Sequence, residues 1–422
     1  MEFLGLCTDL YELTMAQSYL EHGKLGNAVF SLFVRKLPQE RNFLVSCGLE
    51  TLLSYLERFR FGDRELSYLK SLGKFSSSFL DYLREYEFRG NIYAIPEGRI
   101  VFQNEPLLQV EGSLPDVQIL ETLVINTIHF QTVIASKAIR SYLVSRGASL
   151  VDFGFRRAHE LSAGVYAARA SYVAGFAGTS NLEAGRRFGI PVFGTVAHSY
   201  IMVFDEEEEA FRAFAKSFPK NAVFLLDTYD TVSAAKKVVR LAGEGVPVVG
   251  VRLDSGDIPA LSKEVRRILD EAGLRDVKII VSGGVDEYSI ERWFSQGSPI
   301  DAFGVGTKFI TSADAPYLDI AYKLVEYEGK PKVKTSPGKA TFPYKRQVCR
   351  HYRDGIMEYD EVIRYGEPSR GEELVRKVVE SGRLREELPD LKRIRETLME
   401  DLHRLPPHLK SLKKGEYEVI IK

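Results

Sequence analysis

The hydrophobic positions in the first hundred residues follow two different periods. Residues Asn27–Arg35 are rich in β-branched and aromatic side chains, as expected of a strand, and similar runs return at Asn91–Ile95 and Pro106–Val110. The leucines between Leu49 and Leu56 are spaced as on one buried face of a helix. This pattern predicts an α+β domain built on an antiparallel sheet.

The pattern changes after about residue 115. A long helical stretch, Asp116–Ser145, leads into short apolar runs, and most of these are separated by helical patterns. Strands that alternate with helices indicate right-handed βαβ units and a parallel sheet. Seven such runs favour a barrel over a doubly wound sheet, and the tight first spacings predict an irregular barrel. The predicted strands are Ser149–Phe153, Gly175–Gly178, Pro191–Thr195, Ala222–Leu226, Val246–Leu253, Val277–Val281 and Asp301–Val305.

The chain is strongly charged past residue 350. Helices are predicted at Gly371–Ser381 and Pro389–Leu405, followed by a short strand at Tyr417–Lys422. We therefore predict an α/β fold in three parts. They are an N-terminal α+β sheet domain (1–113, completed by about 315–349), an α/β barrel (114–314) and a C-terminal helical extension (350–422).

The composition argues against several classes of protein. The chain has 57 Lys and Arg against 58 Asp and Glu, so it lacks the positive excess that nucleic-acid backbones require. No stretch approaches the ~18 apolar residues of a membrane span, and the N-terminus has no basic segment of a signal peptide. Cys7, Cys47 and Cys349 are scattered, which is typical of the reducing cytosol and predicts no disulfide framework. We expect a cytoplasmic enzyme.

A polar turn follows each predicted strand of the barrel. In parallel barrels such turns meet at the C-terminal face of the sheet, where the active sites of barrel enzymes lie. Tight turns and helix caps also favour Gly and Asp, so the set of turns carries this prediction and no single turn does. The turns are DFGFRRAH (152–159), GTSN (178–181), GTVAHS (194–199), DTYDT (227–231), RLDSGD (252–257), SGGVD (282–286) and GVGTK (304–308).

The last three turns predict a site for a phosphorylated substrate. In SGGVD and GVGTK, the glycines let backbone N–H groups approach an anion at the usual phosphate position of barrels. RLDSGD offers Arg252 for an anion and Asp254 for hydroxyl groups or a magnesium ion. Asp257 could act in the same way, but it is equally well explained as a helix cap.

Two other turns predict a ring-binding site and a reactive histidine. Phe153 and Phe155 lie close to Arg156 and Arg157, and a guanidinium beside an aromatic wall suits a flat anionic ring. We expect one of these arginines to be a surface residue and one phenylalanine to belong to the core. His198 lies among polar turns at the end of a predicted strand, which favours a chemical role over that of an ordinary histidine.

Together these motifs resemble nicotinate phosphoribosyltransferases. The resemblance includes TDLYELTMAQSYLEHG (8–23), the turns described above and KTSPGKATFPYKRQV (334–348), in the order of that family. It implies transfer of phosphoribose from 5-phosphoribosyl 1-pyrophosphate to the ring nitrogen of nicotinate, which gives nicotinate mononucleotide for NAD biosynthesis. It also implies coupling to ATP hydrolysis, a requirement for Mg²⁺, a type II phosphoribosyltransferase barrel with a flanking sheet domain, and a homodimer with shared active sites.

The resemblance assigns the nicotinate site to four residues. Phe153 would stack on the pyridine ring and Arg156 would pair with its carboxylate. Ser180 would lie beside that carboxylate, where nicotinamide-specific relatives carry an acidic residue, so serine favours the acid substrate. Tyr11 would come from the partner subunit.

The resemblance also assigns the phosphoribose and phosphate contacts. Arg252 and Asp254 would hold the pyrophosphate and the ribose hydroxyls, and His198 would accept a phosphoryl group from ATP as phosphohistidine. Arg35 and Lys339 would be supplied by the partner subunit. The 5-phosphate would be held by Ser282, Gly283, Gly284, Gly304, Gly306 and Thr307.

Some archaeal relatives carry a four-cysteine zinc site in the C-terminal region. Here Cys349 and His351 provide only two ligands, so we predict no zinc and no metal-binding residues.

Three alternatives stay open at this point. A quinolinate enzyme should have more cations around the base than Arg156 and Arg157, and a nicotinamide enzyme is the other near relative. A barrel aldolase could use Lys308 as a Schiff-base lysine, although Lys308 lies past its strand, where it is better placed to contact phosphate. A non-catalytic relative should have lost a residue such as His198 or Asp254, and both are present.

Overall fold

The computed structural model describes residues 4–334 and 342–422. Helices and strands are numbered here in chain order. The α-helices are α1 Leu10–Glu21, α2 Leu49–Leu56, α3 Asp63–Ser71, α4 Ser77–Arg84, α5 Leu114–Gln118, α6 Glu121–Val144, α7 Leu161–Val173, α8 Leu182–Phe188, α9 His198–Met202, α10 Glu207–Ser217, α11 Thr231–Gly243, α12 Ile258–Glu271, α13 Glu287–Ser295, α14 Thr307–Ile310 and α15 Leu391–Arg404. The strands are β1 Asn27–Val34, β2 Leu44–Val45, β3 Asn91–Ala94, β4 Ile100–Val101, β5 Pro106–Ser113, β6 Ser149–Asp152, β7 Gly178–Thr179, β8 Val223–Leu225, β9 Gly250–Leu253, β10 Lys278–Val281, β11 Ala302–Val305, β12 Ile320–Tyr327, β13 Lys330–Pro331, β14 Arg346–Arg353, β15 Ile356–Arg364, β16 Glu372–Glu373, β17 Arg376–Glu380, β18 Arg383–Leu384 and β19 Glu418–Ile421.

The chain divides into two units. The antiparallel unit comprises the residues before Lys137 together with those from Tyr317 onward, and the parallel unit is Lys137–Pro316. Helix α6 begins in the first unit and ends in the second.

The antiparallel unit is built on a seven-stranded sheet with the order β13-β12-β1-β5-β3-β17-β18. Strand β1 is buried along all of its length except Asn27, and it pairs with β12 on one side and β5 on the other. A central strand that is buried on both faces needs the continuous β-branched and aromatic run from which it was predicted. The antiparallel sheet predicted for the N-terminal part is therefore present, and strands from the C-terminal part complete it.

The C-terminal residues contain more strand than the sequence predicted. Helix α15 agrees with the predicted helix at Pro389–Leu405, but the helix predicted at Gly371–Ser381 is wrong, because these residues form β16 and β17. Strand β17 pairs with β3, and its valines prefer the pleated surface next to that strand over a helix. Strands β16, β14, β15 and β19 form a further sheet, so the description of 350–422 as a helical extension is only partly right.

The parallel unit contains a six-stranded parallel sheet with the order β7-β6-β11-β10-β9-β8. Five of its strands lie inside predicted runs, and the two tightly spaced runs are the ones that differ. Strand β7 is displaced to Gly178–Thr179, and Pro191–Thr195 forms only an isolated bridge from Val192 to Thr179. Two backbone hydrogen bonds join this run to β7, from the Thr179 N–H to the Pro191 carbonyl and from the Phe193 N–H to the Thr179 carbonyl, which is too few for a regular strand.

One helical stretch, Leu114–Val144, is long and apolar enough to cross a membrane, which corrects the expectation that no such stretch exists. Most of its apolar window is buried inside the protein, as in the core helix of a soluble protein.

Candidate active site

The turn after β6 positions an aromatic ring over the neighbouring strand β11. The backbone N–H of Phe153 donates to the carbonyl of Val305 at 2.9 Å, which fixes the start of the turn. A Cβ atom on Gly304 would lie 2.3 Å from the Phe153 ring, so only glycine leaves room for the ring at this place. Gly304, for which phosphate binding was predicted, therefore has a packing role under the predicted pyridine-stacking residue.

The charged and polar residues of this corner point to solvent. Arg156 and Arg157 lie in a 3₁₀ turn and are both exposed, whereas Phe155 packs against helix α7 so closely that a Cβ on Gly164 would lie 2.3 Å from its ring. Phe155 therefore has a packing role, although it is only partly buried, and both arginines lie at the surface where one was expected. Ser180 is also exposed, and its backbone N–H donates to the carbonyl of Asp152 at 2.8 Å.

A cavity of about 610 Å³ lies next to this corner. Its lining includes Phe153, Phe193, Thr195 and Gly304. Most of its other lining residues lie at the amino-terminal ends of the parallel strands, away from the turns, and neither Arg252 nor Asp254 lines it. Only its Phe153 end therefore belongs to the candidate site.

Arg252 and Asp254 form the charged centre of the parallel unit. One terminal nitrogen of Arg252 donates to the Thr195 hydroxyl and, at 2.8 Å, to the carbonyl of Val196, while the other lies 3.2 Å from Asp254 Oδ1. The same Asp254 oxygen accepts a hydrogen bond from the Ser282 hydroxyl. Arg252 Nε is buried without a hydrogen-bond partner in the described part of the chain. The arginine and the aspartate are thus held by each other and by neutral groups, and Arg252 Nε keeps capacity for a ligand.

Asp227 belongs to this centre, although it was not among the predicted site residues. Its Oδ2 accepts hydrogen bonds from the Asp254 backbone N–H, at 3.2 Å, and from the Ser255 hydroxyl. Its Oδ1 is buried and has no hydrogen-bond partner among the residues described. The DTYDT turn was the available signal, but several of its residues are equally plain turn formers. Asp257, in contrast, caps α12 through the Ala260 N–H, so the structural explanation of Asp257 is confirmed.

His198 is the first residue of the short helix α9 and lies near the DTYDT turn. Its Nδ1 lies 3.1 Å from the Thr228 hydroxyl, which orients the imidazole ring. Nε2 has no hydrogen-bond partner in residues 4–334 and 342–422, so this nitrogen is the one available to a ligand.

The SGGVD turn packs directly against the charged centre. The Ser282 N–H donates to the Leu253 carbonyl at 2.9 Å, and a Cβ on Gly283 would lie 1.9 Å from the Asp254 carbonyl oxygen. Gly283 and Gly284 both have positive φ, at 78° and 67°. At Gly283 glycine is required for both reasons, so its presence there does not depend on phosphate binding.

An ion pair joins the two predicted phosphate turns. Lys308 Nζ donates to Asp286 Oδ2 at 2.6 Å, and the other Asp286 oxygen caps α13 at the Ser289 N–H. Burial alone would raise the pKa of Asp286, but the bonds from Lys308 and Ser289 lower it below its ordinary value. Lys308 is half exposed. This environment is the opposite of the apolar pocket that activates a Schiff-base lysine, so the aldolase alternative has no support here.

Gly306 and Thr307 complete the second turn. Gly306 precedes the four-residue helix α14, and Thr307 is the exposed first residue of that helix. Both residues are accessible to a ligand, but a helix this short adds little dipole to the site.

Two residues that were assigned to a partner subunit lie in the antiparallel unit. Tyr11, on helix α1, is about half exposed, and partial burial together with Glu121 raises the pKa of its hydroxyl. Arg35 follows β1 and pairs with the exposed Asp319 at 2.9 Å. Lys339 lies outside the described residues.

The carboxylates of the charged centre can accommodate Mg²⁺ only together with a ligand. The described residues contain no group of three or more side chains able to hold a metal ion by themselves. Asp227 and Asp254 adjoin each other, and the free Oδ1 of Asp227 is a hard oxygen donor. Because Mg²⁺ commonly binds one or two carboxylates plus substrate phosphates, this donor set fits the ion.

Comparison with protein families decides the identity of the chain. Residues 6–129 match the nicotinate phosphoribosyltransferase N-terminal domain, and residues 148–356 match the nicotinate phosphoribosyltransferase family. The chain belongs to the nicotinate phosphoribosyltransferase family. A nicotinate phosphoribosyltransferase of Mycobacterium tuberculosis is 45% identical over 98% of this chain and 90% of its own length. That of Bacillus subtilis is 41% identical over 85% of this chain and 77% of its own length.

Solved structures of this enzyme class have the same fold. Human nicotinic acid phosphoribosyltransferase superposes with a TM-score of 0.87 at 29% identity and covers 98% of this chain and 97% of its own. Nicotinate-nucleotide pyrophosphorylase from Pyrococcus furiosus gives a TM-score of 0.78 at 27% identity, with 95% of both chains covered. The resemblance inferred from the motifs is therefore confirmed at the level of the family.

Proposed function

We propose that this chain forms nicotinate mononucleotide and pyrophosphate from nicotinate and 5-phosphoribosyl 1-pyrophosphate, coupled to ATP hydrolysis, in the cytoplasm. The observation that best supports this is the charged centre beside the glycine turns, where Arg252 Nε and Asp227 Oδ1 have no hydrogen-bond partner among the described residues. We further propose that the parallel sheet belongs to an irregular barrel of the type II phosphoribosyltransferase kind. Its strand ends would then surround one reaction site.

The nicotinate ring would stack on Phe153, and its carboxylate would meet Arg156 with Ser180 alongside. Phe153 is held over Gly304, while Arg156 and Ser180 are exposed on the neighbouring turns. Arginine gives a carboxylate a bidentate, charge-assisted hydrogen bond, which a neutral amide cannot reproduce. Serine in place of an acidic residue offers no acceptor selective for an amide N–H.

The phosphoribose donor would occupy the charged centre and the glycine turns. Departure of pyrophosphate leaves positive charge on the ribose ring and negative charge on the leaving group. Arg252 would bind the leaving group, Asp254 would hold the ribose hydroxyls, and the backbone at Ser282–Gly284 would bind the 5-phosphate. Mg²⁺, held by Asp227 and Asp254 together with the donor's phosphates, would neutralise charge on the pyrophosphate.

The direct test is an assay with purified full-length protein, labelled nicotinate and 5-phosphoribosyl 1-pyrophosphate, with and without ATP. We expect labelled nicotinate mononucleotide in both reactions and faster formation with ATP. No label in the mononucleotide, or equal activity with quinolinate, would contradict the proposal.

His198 would couple ATP hydrolysis to the transfer. Its Nε2 would attack the γ-phosphorus of ATP and expel ADP, while Thr228 keeps the ring oriented through Nδ1. His198→Ala should therefore abolish nicotinate-dependent ATP hydrolysis and acid-labile labelling by γ-labelled ATP, but leave slow ATP-independent transfer. A variant that is still labelled and still hydrolyses ATP at the parental rate would make His198 a structural residue.

The active site would be shared in a homodimer, with Tyr11, Arg35 and Lys339 supplied by the partner subunit. Mixing inactive Tyr11→Ala and Asp254→Ala proteins should then restore part of the activity, because one site of each heterodimer receives two intact halves. No recovery after confirmed subunit exchange would contradict a shared site.

A further inference from the structure

Asp152, the last residue of β6, connects the two turns that carry the proposed nicotinate residues. It is fully buried. Its Oδ1 accepts the Gly154 N–H at 2.7 Å, and its Oδ2 accepts the Thr179 hydroxyl at 2.8 Å. Its backbone carbonyl accepts the Ser180 N–H at 2.8 Å. One residue thus holds the turn after β6 and the turn after β7 together.

Thr179 extends this connection to the next helix. It is fully buried like Asp152, and its hydroxyl accepts the Asn181 N–H at 3.0 Å while it donates to Asp152. Asn181 in turn caps α8 through the Ala184 N–H at 3.1 Å. The hydrogen bonds therefore run without a break from Gly154, between the proposed stacking and carboxylate-binding residues, to the residue that follows Ser180.

A carboxylate suits this place better than an amide, because each of its oxygens accepts a hydrogen bond from a different turn. The arrangement has a cost, since no cation contacts Asp152 in the described structure and burial raises its pKa to about 6. Arg156 and Ser180, the side chains carried by the two turns, are exposed. Their orientation must come from the backbone beneath them.

We propose that Asp152 and Thr179 are positioning residues for nicotinate: they set the distance between the Phe153–Arg156 turn and Ser180, without touching either substrate. The inference rests on the proposed nicotinate site. It adds that the specificity of the site for the base depends on a buried hydrogen-bond pair, whereas binding of the phosphoribose donor does not.

The sharpest test is a pair of substitutions at Thr179. Thr179→Val keeps the shape but removes the hydroxyl, and we expect kcat/KM for nicotinate to fall about tenfold or more, because a misplacement of about 1 Å can cost about 100-fold. KM for 5-phosphoribosyl 1-pyrophosphate should stay within about twofold of the parental value. Thr179→Ser retains the hydroxyl and should recover most of the nicotinate kinetics. Asp152→Asn has one acceptor oxygen in place of two, so its kcat/KM for nicotinate should lie between those of the Thr179→Val and Thr179→Ser variants.

Two controls separate positioning from general damage. Thr132→Val removes an equally buried hydroxyl, which bonds to Cys47 in the antiparallel unit, and should leave both kinetic constants at their parental values. Phe153→Ala and Arg156→Ala test the nicotinate site itself. If neither weakens nicotinate kinetics, the proposed site is wrong and the inference falls with it. If both do, but Thr179→Val equals Thr179→Ser or weakens both substrates alike, the positioning role alone is overturned.

Discussion

Two buried aspartates, Asp152 in the parallel unit and Asp360 in the antiparallel unit, have very different partners. Both are fully buried. Asp360 accepts hydrogen bonds from the Arg350 guanidinium at 2.7, 3.0 and 3.2 Å and from the Tyr417 hydroxyl at 2.9 Å. Asp152 has only an N–H group and a hydroxyl.

Asp360 thus belongs to a buried ion pair, whereas Asp152 is a buried carboxylate without a cation partner among the described residues. Arg350 is itself fully buried and also reaches the carbonyl of Ile100, so the pair joins strands β14 and β15 to the region of β4. Removing one partner of such a buried pair strongly destabilises a protein, because the other charge is left uncompensated. The ionised form of Asp152 has no cation partner among the described residues, so its two hydrogen bonds set the geometry of the neighbouring turns rather than stabilise the fold.

The largest effect should follow from breaking the paired charge. Asp360→Ala removes the closest partner of the buried Arg350 charge and leaves it near two other carboxyl groups, Asp401 at 3.5 Å and the buried Glu105. The free energy of unfolding should fall by about 3 kcal/mol or more. Urea unfolding followed by far-UV circular dichroism measures this change. Glu367→Ala, an exposed change in the same unit, is the control, and an equal effect of the two variants would remove the distinction drawn here.

Asp152→Asn should raise the free energy of unfolding above pH 6, whereas Asp360→Ala lowers it. The raised pKa, from 3.8 to about 6, means that its contribution to stability is complete below about pH 3.8 and is lost as the pH rises through about 6. At pH 8 the asparagine variant should be more stable by up to about 3 kcal/mol, and the difference should vanish near pH 4.

Trp293, the single tryptophan, lies in the parallel unit, so its fluorescence during urea unfolding reports on the unit that contains Asp152. Asp276→Asn, an exposed change in this unit, should show no such pH dependence. An Asp152→Asn protein that is less stable at pH 8 would mean that the two hydrogen bonds outweigh the cost of the buried charge.

The preference between nicotinate and nicotinamide tests the proposed nicotinate site, whose turns Asp152 connects. We expect nicotinate to be preferred over nicotinamide by about two decades in kcat/KM, because an arginine–carboxylate pair is lost with the amide. Arg156→Ala should remove most of this preference, and the neighbouring Arg157→Ala should retain it. Comparable kcat/KM values for the two bases in the parental enzyme would contradict the assignment of Arg156.

The half-exposed pair between Lys308 and Asp286 should give the smallest effect on stability. Lys308→Ala should cost about 0.5 kcal/mol or less, since exposed ion pairs contribute little. KM for 5-phosphoribosyl 1-pyrophosphate should nevertheless rise several-fold, because the pair links the two phosphate turns. Arg186→Ala, which breaks an exposed pair with Glu183, is the matched control, and an equal effect on KM would deny Lys308 a role in the site.

Elements whose local hydrophobic pattern matches their burial in the fold were predicted correctly. The buried runs of β1, β6 and β8–β11 and the long helix α6 were all predicted, since a strand or helix buried in the core must be apolar along its length or on one face. The glycines at 283 and 304 stand at places where a side chain would collide with Asp254 or Phe153. At these two places the backbone itself requires glycine, whatever ligand the turns bind.

The sequence by itself therefore determined the family, the alternation of strands and helices in the parallel unit, and the turns that carry the charged centre. The tertiary structure alone decided that residues 372–373 and 376–380 are strands, because β14 and β3 provide them with partners. It also decided that Asp227 and Asp152 belong beside the site. Their carboxylates acquire partners from turns about 30 residues away, and such long-range hydrogen bonds leave no period in the sequence.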